Sequence, residues 1–224
     1  MNKMKFPCIV FDHDDTVVNS TATVHYPSFC EYTKLYYPHV NISLEEYFLK
    51  NFEPGIVELF RSIGLDDEGM RHEQEFWNDY VQSHVPGVYE GIREIQWAHK
   101  KAGGILCVVS HSLKENILRD YRENGLPEPD MVFGWEVPHE KRKPKPDSIY
   151  AIMEAYGLKA EEILVLDDLK PGFIMAQAAG CAFAASGWAN DIPEIENFMR
   201  ANSDVYFKTV AEFGEYLKGV NGYE

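Results

Sequence analysis

Aspartates cluster at two places where a short apolar segment ends. The segments are residues 8–11 (CIVF) and 163–166 (ILVL), and the aspartates are Asp12, Asp14 and Asp15 after the first, Asp167 and Asp168 after the second. Carboxylates that lie close together repel one another, so some of them must stay protonated unless a cation intervenes. A hard divalent cation removes this conflict, and Mg²⁺ prefers one or two carboxylates together with substrate phosphate oxygens. The pattern therefore predicts a magnesium site that takes a phosphorylated ligand.

A hydroxyl group and a basic segment could complete such a site. Ser110 follows a third apolar run, ILCVV at residues 105–109, and basic residues crowd positions 141–145 (KRKPK). A serine and a lysine can hold a phosphoryl group, which lysine binds as a compact point charge. Asp12 could then act as a nucleophile, and Asp14 could give a proton to the leaving oxygen. Each aspartate group, and Ser110, could alone be a helix cap, so the prediction depends on the combination.

The apolar runs have the character of buried strands. They are short and free of charge, as strands covered on both faces of a parallel sheet are, and helical spacing of apolar residues separates them. Alternation of this kind predicts an α/β fold with a parallel sheet, whose ligands bind beyond the carboxyl ends of the strands. The predicted strands are 8–11, 105–109, 163–166 and 181–185, with weaker candidates at 132–133 and 205–207, and the predicted helices are 89–102, 113–124, 147–156, 171–179 and 208–218.

One long segment interrupts this alternation. Residues 18–85 contain no convincing strand and are rich in aromatic residues within helical patterns. Such a length is too great for a loop in a compact domain. We therefore expect residues 1–17 and 86–224 to form the α/β core domain and residues 18–85 an inserted, all-helical cap domain.

The composition limits the classes of partner that the protein can bind. The formal net charge is −15, which repels nucleic acids and anionic membranes. No apolar stretch reaches the roughly 20 residues of a membrane span, and no signal peptide is evident. The four cysteines form no C-x-x-C pair, and three lie in apolar runs, as buried free thiols do. We expect a cytoplasmic protein that binds a small phosphate ester and neither nucleic acid nor membrane, with its oligomeric state left open. The cysteines are Cys8, Cys30, Cys107 and Cys181.

The order of the motifs resembles that of the haloacid dehalogenase-like superfamily. The first motif of that family is D-x-D-x-T after a strand, matched by residues 12–16 (DHDDT). The second is a strand that ends in Ser or Thr, matched by Ser110, and the third is a lysine, often within K-P-x-P-D, matched by residues 143–147 (KPKPD). The fourth is an acidic pair after a strand, then a glycine and an Ala-rich helix, matched by Asp167, Asp168 and Gly172.

The resemblance implies a fold, a cofactor and a role for each residue. The fold is a Rossmann-like parallel sheet flanked by helices, with a helical cap inserted after the first motif. The nucleophile becomes an aspartyl-phosphate, and the second aspartate serves as general acid and then as base for water. The implied roles are Asp12 as nucleophile, Asp14 as acid and base, Ser110 and Lys143 as phosphate-binding residues, and Asp12, the backbone carbonyl of Asp14, Asp168 and, directly or through water, Asp167 as Mg²⁺ ligands.

The expected function is Mg²⁺-dependent hydrolysis of a small phosphate monoester through an aspartyl-phosphate. Asp14 favours phosphate transfer, since dehalogenases of the family lack this residue. The alternative is a sugar phosphomutase resembling β-phosphoglucomutase.

Five further positions bear on the site and its cap. Asp15 occupies a position where the family usually has glycine, and Lys145 is a second candidate for the phosphate-binding lysine. His111 could contact the phosphate or cap the next helix. In the cap, His25 and Tyr26 are the first candidates for substrate contact.

Overall fold

The computed structural model describes residues 4–222 and centres on one six-stranded sheet. The strands are β1 (Cys8–Phe11), β2 (Ile105–Val109), β3 (Met131–Phe133), β4 (Ile163–Asp167), β5 (Ala182–Ser186) and β6 (Val205–Phe207). Their order is β3-β2-β1-β4-β5-β6, and every neighbouring pair is parallel. β1 and β4 therefore lie at the centre, where the strand order reverses direction, and this is the place where open α/β sheets bind ligands.

Ten α-helices accompany the sheet within residues 4–222. Four lie between β1 and α5: α1 (Tyr26–Tyr36), α2 (Leu44–Phe52), α3 (Ile56–Ser62) and α4 (Asp67–Ser83). The others connect or follow the strands: α5 (Ile92–Lys101), α6 (Lys114–Glu123), α7 (Asp147–Tyr156), α8 (Lys170–Ala179), α9 (Pro193–Asn202) and α10 (Val210–Asn221). None of the helices in the described part of the chain is long and apolar enough to cross a membrane.

Helices cover both faces of the sheet, and this explains why the central strand β1 contains only apolar residues. Successive side chains of a strand point to opposite faces. Ile9 and Phe11 pack with residues of α5, α6 and α10, whereas Cys8 and Val10 pack with residues of α7, α8 and α9. All four residues of β1 are fully buried, so only an uninterrupted apolar run fits this position.

The predicted α/β class is confirmed, and so are the strands. The four apolar runs form β1, β2, β4 and β5, and both weaker candidates form the short strands β3 and β6. The helical boundaries differ by up to three residues; α5 begins at Ile92 rather than at 89 because Gly91, with φ 92°, precedes it. Helix α9 was not predicted. The cysteines are free thiols, of which three are buried and Cys30 is half-buried.

Residues 18–85, called the helical insertion below, contribute no strand to the sheet. The insertion opens with a π-helical turn, Thr21–His25, and continues through α1 to α4. It has an apolar cluster of its own, formed by Phe29, Tyr32, Tyr47, Leu59, Phe60 and Leu65. Its two connections to the sheet run side by side, since the Asn19 amide donates to the Gly87 carbonyl at 2.9 Å and the Tyr89 amide to the Val17 carbonyl at 3.1 Å.

Candidate active site

Three strand ends bring the sequence motifs to one edge of the sheet. β1 lies between β2 and β4, and Phe11 is in register with Val108 and with Leu166. Asp12, Ser110 and Asp167 therefore stand next to one another at the carboxyl ends of adjacent strands. All three are buried.

Lys143 joins this group from the loop before α7. Its Nζ lies 2.8 Å from Asp12 Oδ1 and 2.9 Å from Asp167 Oδ2. Burial alone would lower the pKa of Lys143, but the charges and hydrogen bonds of Asp12 and Asp167 raise it above its ordinary value. The lysine is therefore a fixed cation between two carboxylates, whereas Lys145 is exposed to solvent.

Asp168 completes a cluster of three carboxylates. Oxygen atoms of Asp12, Asp167 and Asp168 all lie within 4.8 Å of one another. Burial, with the negative charge of its neighbours, raises the pKa of Asp168 well above its ordinary value, and the pKa of Asp167 rises to about 7 for the same leading reason, despite Lys143. One lysine thus leaves an excess of negative charge, and the oxygen-only donor set fits a hard divalent cation. The Asp14 carboxylate does not belong to this cluster.

Asp14 instead faces a second set of partners. Its Oδ2 accepts hydrogen bonds from Ser112 Oγ at 2.5 Å and from Ser110 Oγ at 3.4 Å, and its Oδ1 lies 3.1 Å from His25 Nε2. Burial would raise the pKa of Asp14, but the hydrogen bonds from His25 and Ser112 outweigh it and hold the pKa well below its usual range. Asp14 is consequently ionised in this arrangement.

His25 belongs to the helical insertion and is oriented by Trp77 of α4. The Trp77 indole Nε1 donates a hydrogen bond to His25 Nδ1 at 3.0 Å. Because an indole nitrogen only donates, His25 Nδ1 must accept, and the ring proton therefore lies on Nε2, where it is donated to Asp14. Contact with Asp14 raises the pKa of His25 in spite of burial. Asp14 is thus tied to the insertion through His25.

Asp15 adopts the conformation that usually requires glycine. Its φ is 58°, a left-handed value that Asp tolerates better than most residues. Its carboxylate accepts a hydrogen bond from the Thr21 amide at 3.0 Å. Burial raises the pKa of Asp15 to about 6. Asp15 is thus hydrogen-bonded to the backbone of the first turn of the insertion.

Gly172, the glycine of the fourth motif, lies against Asp167. A Cβ atom at this position would come within 2.1 Å of Asp167 Oδ2, the oxygen that binds Lys143. Asp167 Oδ1 accepts from the Leu169 amide at 2.9 Å. A side chain at 172 would therefore displace the carboxylate from Lys143.

His111 occupies the rim of the site. Its Nε2 donates to the backbone carbonyl of Lys143 at 2.7 Å, and within residues 4–222 it makes no hydrogen bond to Asp12 or Asp14. The structure therefore places His111 against the backbone of the lysine loop.

Several residues of this arrangement were not singled out from the sequence. Ser112 binds Asp14, and Thr16 Oγ1 binds Asp168 Oδ1 at 3.3 Å. His13 Nε2 lies 3.0 Å from Asp120 Oδ2, and Arg119 binds both Asp120 and the carbonyl of Val81 at the end of α4. Thr16 is the last residue of the first motif and Ser112 lies two residues after Ser110, so both positions carry a signal in the sequence; the pairing of His13 with Asp120 has none.

The family model for haloacid dehalogenase-like hydrolases matches residues 9–186. The chain belongs to this family. The match spans every motif named above, from the strand before Asp12 to the strand after the acidic pair.

Curated relatives and solved structures agree with this family. Pyrophosphatase PpaX of Bacillus cereus (strain AH820) is 26% identical over 195 residues, covering 83% of this chain and 85% of that protein. A predicted phosphoglycolate phosphatase from Haemophilus somnus superposes with a TM-score of 0.76 at 20% identity, covering 96% of this chain and 99% of the other. CbbY from Rhodobacter sphaeroides, in complex with xylulose-(1,5)bisphosphate, gives 0.69 at 22% identity, with 93% and 96% covered. These structures share the fold.

Proposed function

We propose that this haloacid dehalogenase-like hydrolase is a Mg²⁺-dependent phosphomonoesterase that acts on a small phosphorylated metabolite through an aspartyl-phosphate. The observation that carries the proposal is the buried contact of Lys143 Nζ with Asp12 and Asp167 inside a cluster of three carboxylates. The names of the relatives, a pyrophosphatase and a phosphoglycolate phosphatase, favour phosphate hydrolysis over carbon–halogen cleavage.

In this proposal the metal and the phosphoryl group bind next to each other at the carboxylate cluster. Asp12, Asp168 and the backbone carbonyl of Asp14 would hold Mg²⁺, with Asp167 assisting. When bound, the ion neutralises the carboxylates and the phosphoryl oxygens. Lys143 and Ser110 bind the phosphoryl group, since lysine supplies a point charge and serine a hydrogen-bond donor. Asp12 forms the bond to phosphorus as the bond to the leaving oxygen breaks.

Asp14 moves the protons. In the first step it gives a proton to the leaving alkoxide, and in the second it takes one from the water that attacks the aspartyl-phosphate. Hydrogen bonds from Ser112 and His25 stabilise its carboxylate form, which suits the second step. A phosphoryl dianion beside Asp14 raises its pKa toward the protonated state that the first step needs, since nearby negative charge favours the neutral acid.

The helical insertion is, in this proposal, the cap domain. It places His25 on the proposed general acid Asp14, and closure of such an element excludes bulk water. The ion pair between Lys170 of the core and Glu53 of the insertion is a contact across the same boundary.

A steady-state screen tests the proposal. Purified protein with Mg²⁺ should release inorganic phosphate from p-nitrophenyl phosphate and from members of a phosphate-monoester panel, and excess chelator should abolish release until Mg²⁺ is restored. Hydrolysis that continues undiminished in excess chelator would contradict the mechanism. A phosphomutase would instead return an isomeric sugar phosphate without stoichiometric phosphate release, so product analysis separates the two functions.

A further inference from the structure

Glu73 is an isolated buried charge within the helical insertion. It lies on α4 and is 8% exposed. The lysines and arginines of the insertion all point to solvent: Lys34, Lys50, Arg61 and Arg71. The insertion therefore offers a buried anion and no buried lysine or arginine.

The position of Glu73 on α4 directs it toward the catalytic edge. Glu73 and Trp77 are four residues apart and thus share one face of the helix. Trp77 binds His25, and His25 binds Asp14. Glu73 therefore stands one helical turn from the link between the insertion and the general acid.

The Glu73 carboxylate has no hydrogen-bond or ion-pair partner among the described residues. Burial raises its pKa to about 7. An unpartnered buried carboxylate is costly. A bound cationic group would remove this cost.

Tyr47 supplies a second buried polar group in the insertion, with its ring against Tyr26 and Phe29. Burial raises the pKa of its hydroxyl, and the negative charges of Glu73 and Asp15 add to the shift. It has no hydrogen-bond partner in the part of the chain that the structure describes. The unpartnered polar atoms that are sealed from solvent there lie elsewhere, on His13, Ser20, Ser28, Gln96 and Ser203. Neither the Glu73 carboxylate nor the Tyr47 hydroxyl is among these sealed atoms, so both keep some contact with solvent.

We propose that Glu73, assisted by the Tyr47 hydroxyl, is a specificity-determining residue that binds an ammonium group on the alcohol portion of the phosphate monoester. The inference rests on the proposed function. An ammonium group supplies the charge-assisted hydrogen bond that Glu73 lacks. A second anionic group, such as a carboxylate or another phosphate, would meet Glu73 without any buried lysine or arginine of the insertion to offset it. The substrate class is a phosphorylated amino alcohol.

Three substrates of matched length test the proposal. They are 2-aminoethyl phosphate, propyl phosphate and 2-phosphoglycolate, which end in an ammonium, a methyl and a carboxylate group. The wild-type protein should show a kcat/KM for 2-aminoethyl phosphate about 10- to 100-fold above that for propyl phosphate, as a hydrogen bond to a charged group predicts. The value for 2-phosphoglycolate should be lowest. Equal or better turnover of propyl phosphate or 2-phosphoglycolate would overturn the proposal without any variant.

The variant Glu73→Gln tests whether the Glu73 carboxylate causes the preference for the ammonium substrate. This variant keeps the shape and an acceptor oxygen but removes the charge, so the preference for the ammonium substrate should fall to within a few-fold of propyl phosphate. Glu75→Gln is the matched control, because Glu75 is exposed on the same helix and its loss should leave the ranking unchanged. An unchanged ranking in Glu73→Gln, or an equal loss for all three substrates, would refute the assignment.

The p-nitrophenyl phosphate rate separates this inference from the proposed function. Wild-type protein that hydrolyses this ester but ranks the three substrates otherwise has the proposed function and refutes the role of Glu73. Wild-type protein that hydrolyses none of the four esters with Mg²⁺ contradicts the proposed function itself.

Discussion

Asp12 and Asp14 stand two residues apart after the same strand, yet the molecule surrounds them differently. Asp12 is bound by Lys143, in a group that also contains Asp167 and Asp168, and all of these residues come from the α/β core. Asp14 is bound by Ser112 of the core and by His25 of the helical insertion. One carboxylate therefore has a fixed environment, and the other has an environment that depends on where the insertion lies.

This difference matches the separate roles that the proposed mechanism gives to Asp12 and Asp14. A nucleophile and its metal need rigid geometry, because small displacements of reacting groups are costly. A group that moves protons has to change its protonation state between two steps, and a partner on a separate element provides a means of doing so. The following predictions test whether the two environments are as distinct in function as they are in structure.

The largest effect should come from replacing Asp12, the proposed nucleophile. Asp12→Asn should lower turnover by on the order of 10⁴-fold or more, to below detection, and leave no phosphoenzyme, since the amide cannot form the covalent intermediate. Rapid quench after mixing with a phosphorus-labelled ester measures both. Asp79→Asn, which changes an exposed aspartate of α4, is the control for folding and should behave like the wild-type protein.

Asp14→Asn should be slowed by about 10²–10⁴-fold, with a loss that depends on the leaving group. An acidic phenol needs little protonation, so the first-turnover burst with p-nitrophenyl phosphate should survive, whereas an alkyl phosphate should hardly react. Steady-state rates fall in both cases because Asp14 also activates water. If the burst vanished as completely as in Asp12→Asn, the two carboxylates would share one role and the comparison would fail.

Lys143→Ala should lower kcat/KM by about 10²–10³-fold, as removal of a positioned charge at a reacting group commonly does. Lys143 contacts two buried carboxylates, whereas Lys145 is exposed two residues later. Lys145→Ala is the matched control and should stay within a few-fold of wild type. Equal losses in the two variants would show that the motif register is wrong.

Glu73 provides a test through stability rather than rate. Its pKa in the folded protein, about 7, lies above the ordinary value of 4.5, so its contribution to stability is fully present below pH 4.5 and is lost as the pH rises through 7. Glu73→Gln should therefore exceed wild type by about 2–3 kcal/mol in unfolding free energy at pH 8 and match it near pH 4. Urea unfolding at both pH values measures this, and Glu75→Gln should show no such crossover.

The smallest effect should come from Trp77→Phe, which removes one hydrogen bond to His25 and keeps an aromatic ring. A neutral hydrogen bond is worth about 0.5–1.5 kcal/mol, so kcat for an alkyl phosphate should fall about two- to tenfold with little change in KM. Trp97→Phe is the control, since Trp97 donates to the Gly125 carbonyl far from the motifs. A change in KM with kcat unchanged would place Trp77 in substrate binding.

The sequence predicted the elements whose signal is local. A strand buried on both faces must be an uninterrupted apolar run, so β1, β2 and β4 could be found, and with them the aspartates that follow. Helix α9 lies outside the predicted helices, yet its signals are local as well: Pro193 occupies its first position. Apolar Ile195, Phe198 and Met199 follow at helical spacing.

The partners of Asp14 could not be found in this way. His25 and Trp77 are 52 residues apart and meet only because α4 packs beside the π-helical turn. The same holds for Glu73, whose burial follows from the tertiary packing of an otherwise acidic, exposed helix. The core side of the site was thus predictable from strand ends, while the insertion side depends on contacts between helices.

The paired connections at residues 17–19 and 87–89 make the insertion a separable module. The hydrogen bond from Asn19 to Gly87 brings the two ends of the insertion to within 2.9 Å of one another, a gap that a turn of two to five residues closes in ordinary hairpins. The strand pairing of the sheet therefore does not depend on the sixty-odd residues that lie between these ends, although Phe48 of α2 packs in one apolar cluster of the sheet. A change in that segment can leave the strand order as it is and still alter the surroundings of Asp14 and Asp15, because His25 and the Thr21 amide both belong to it.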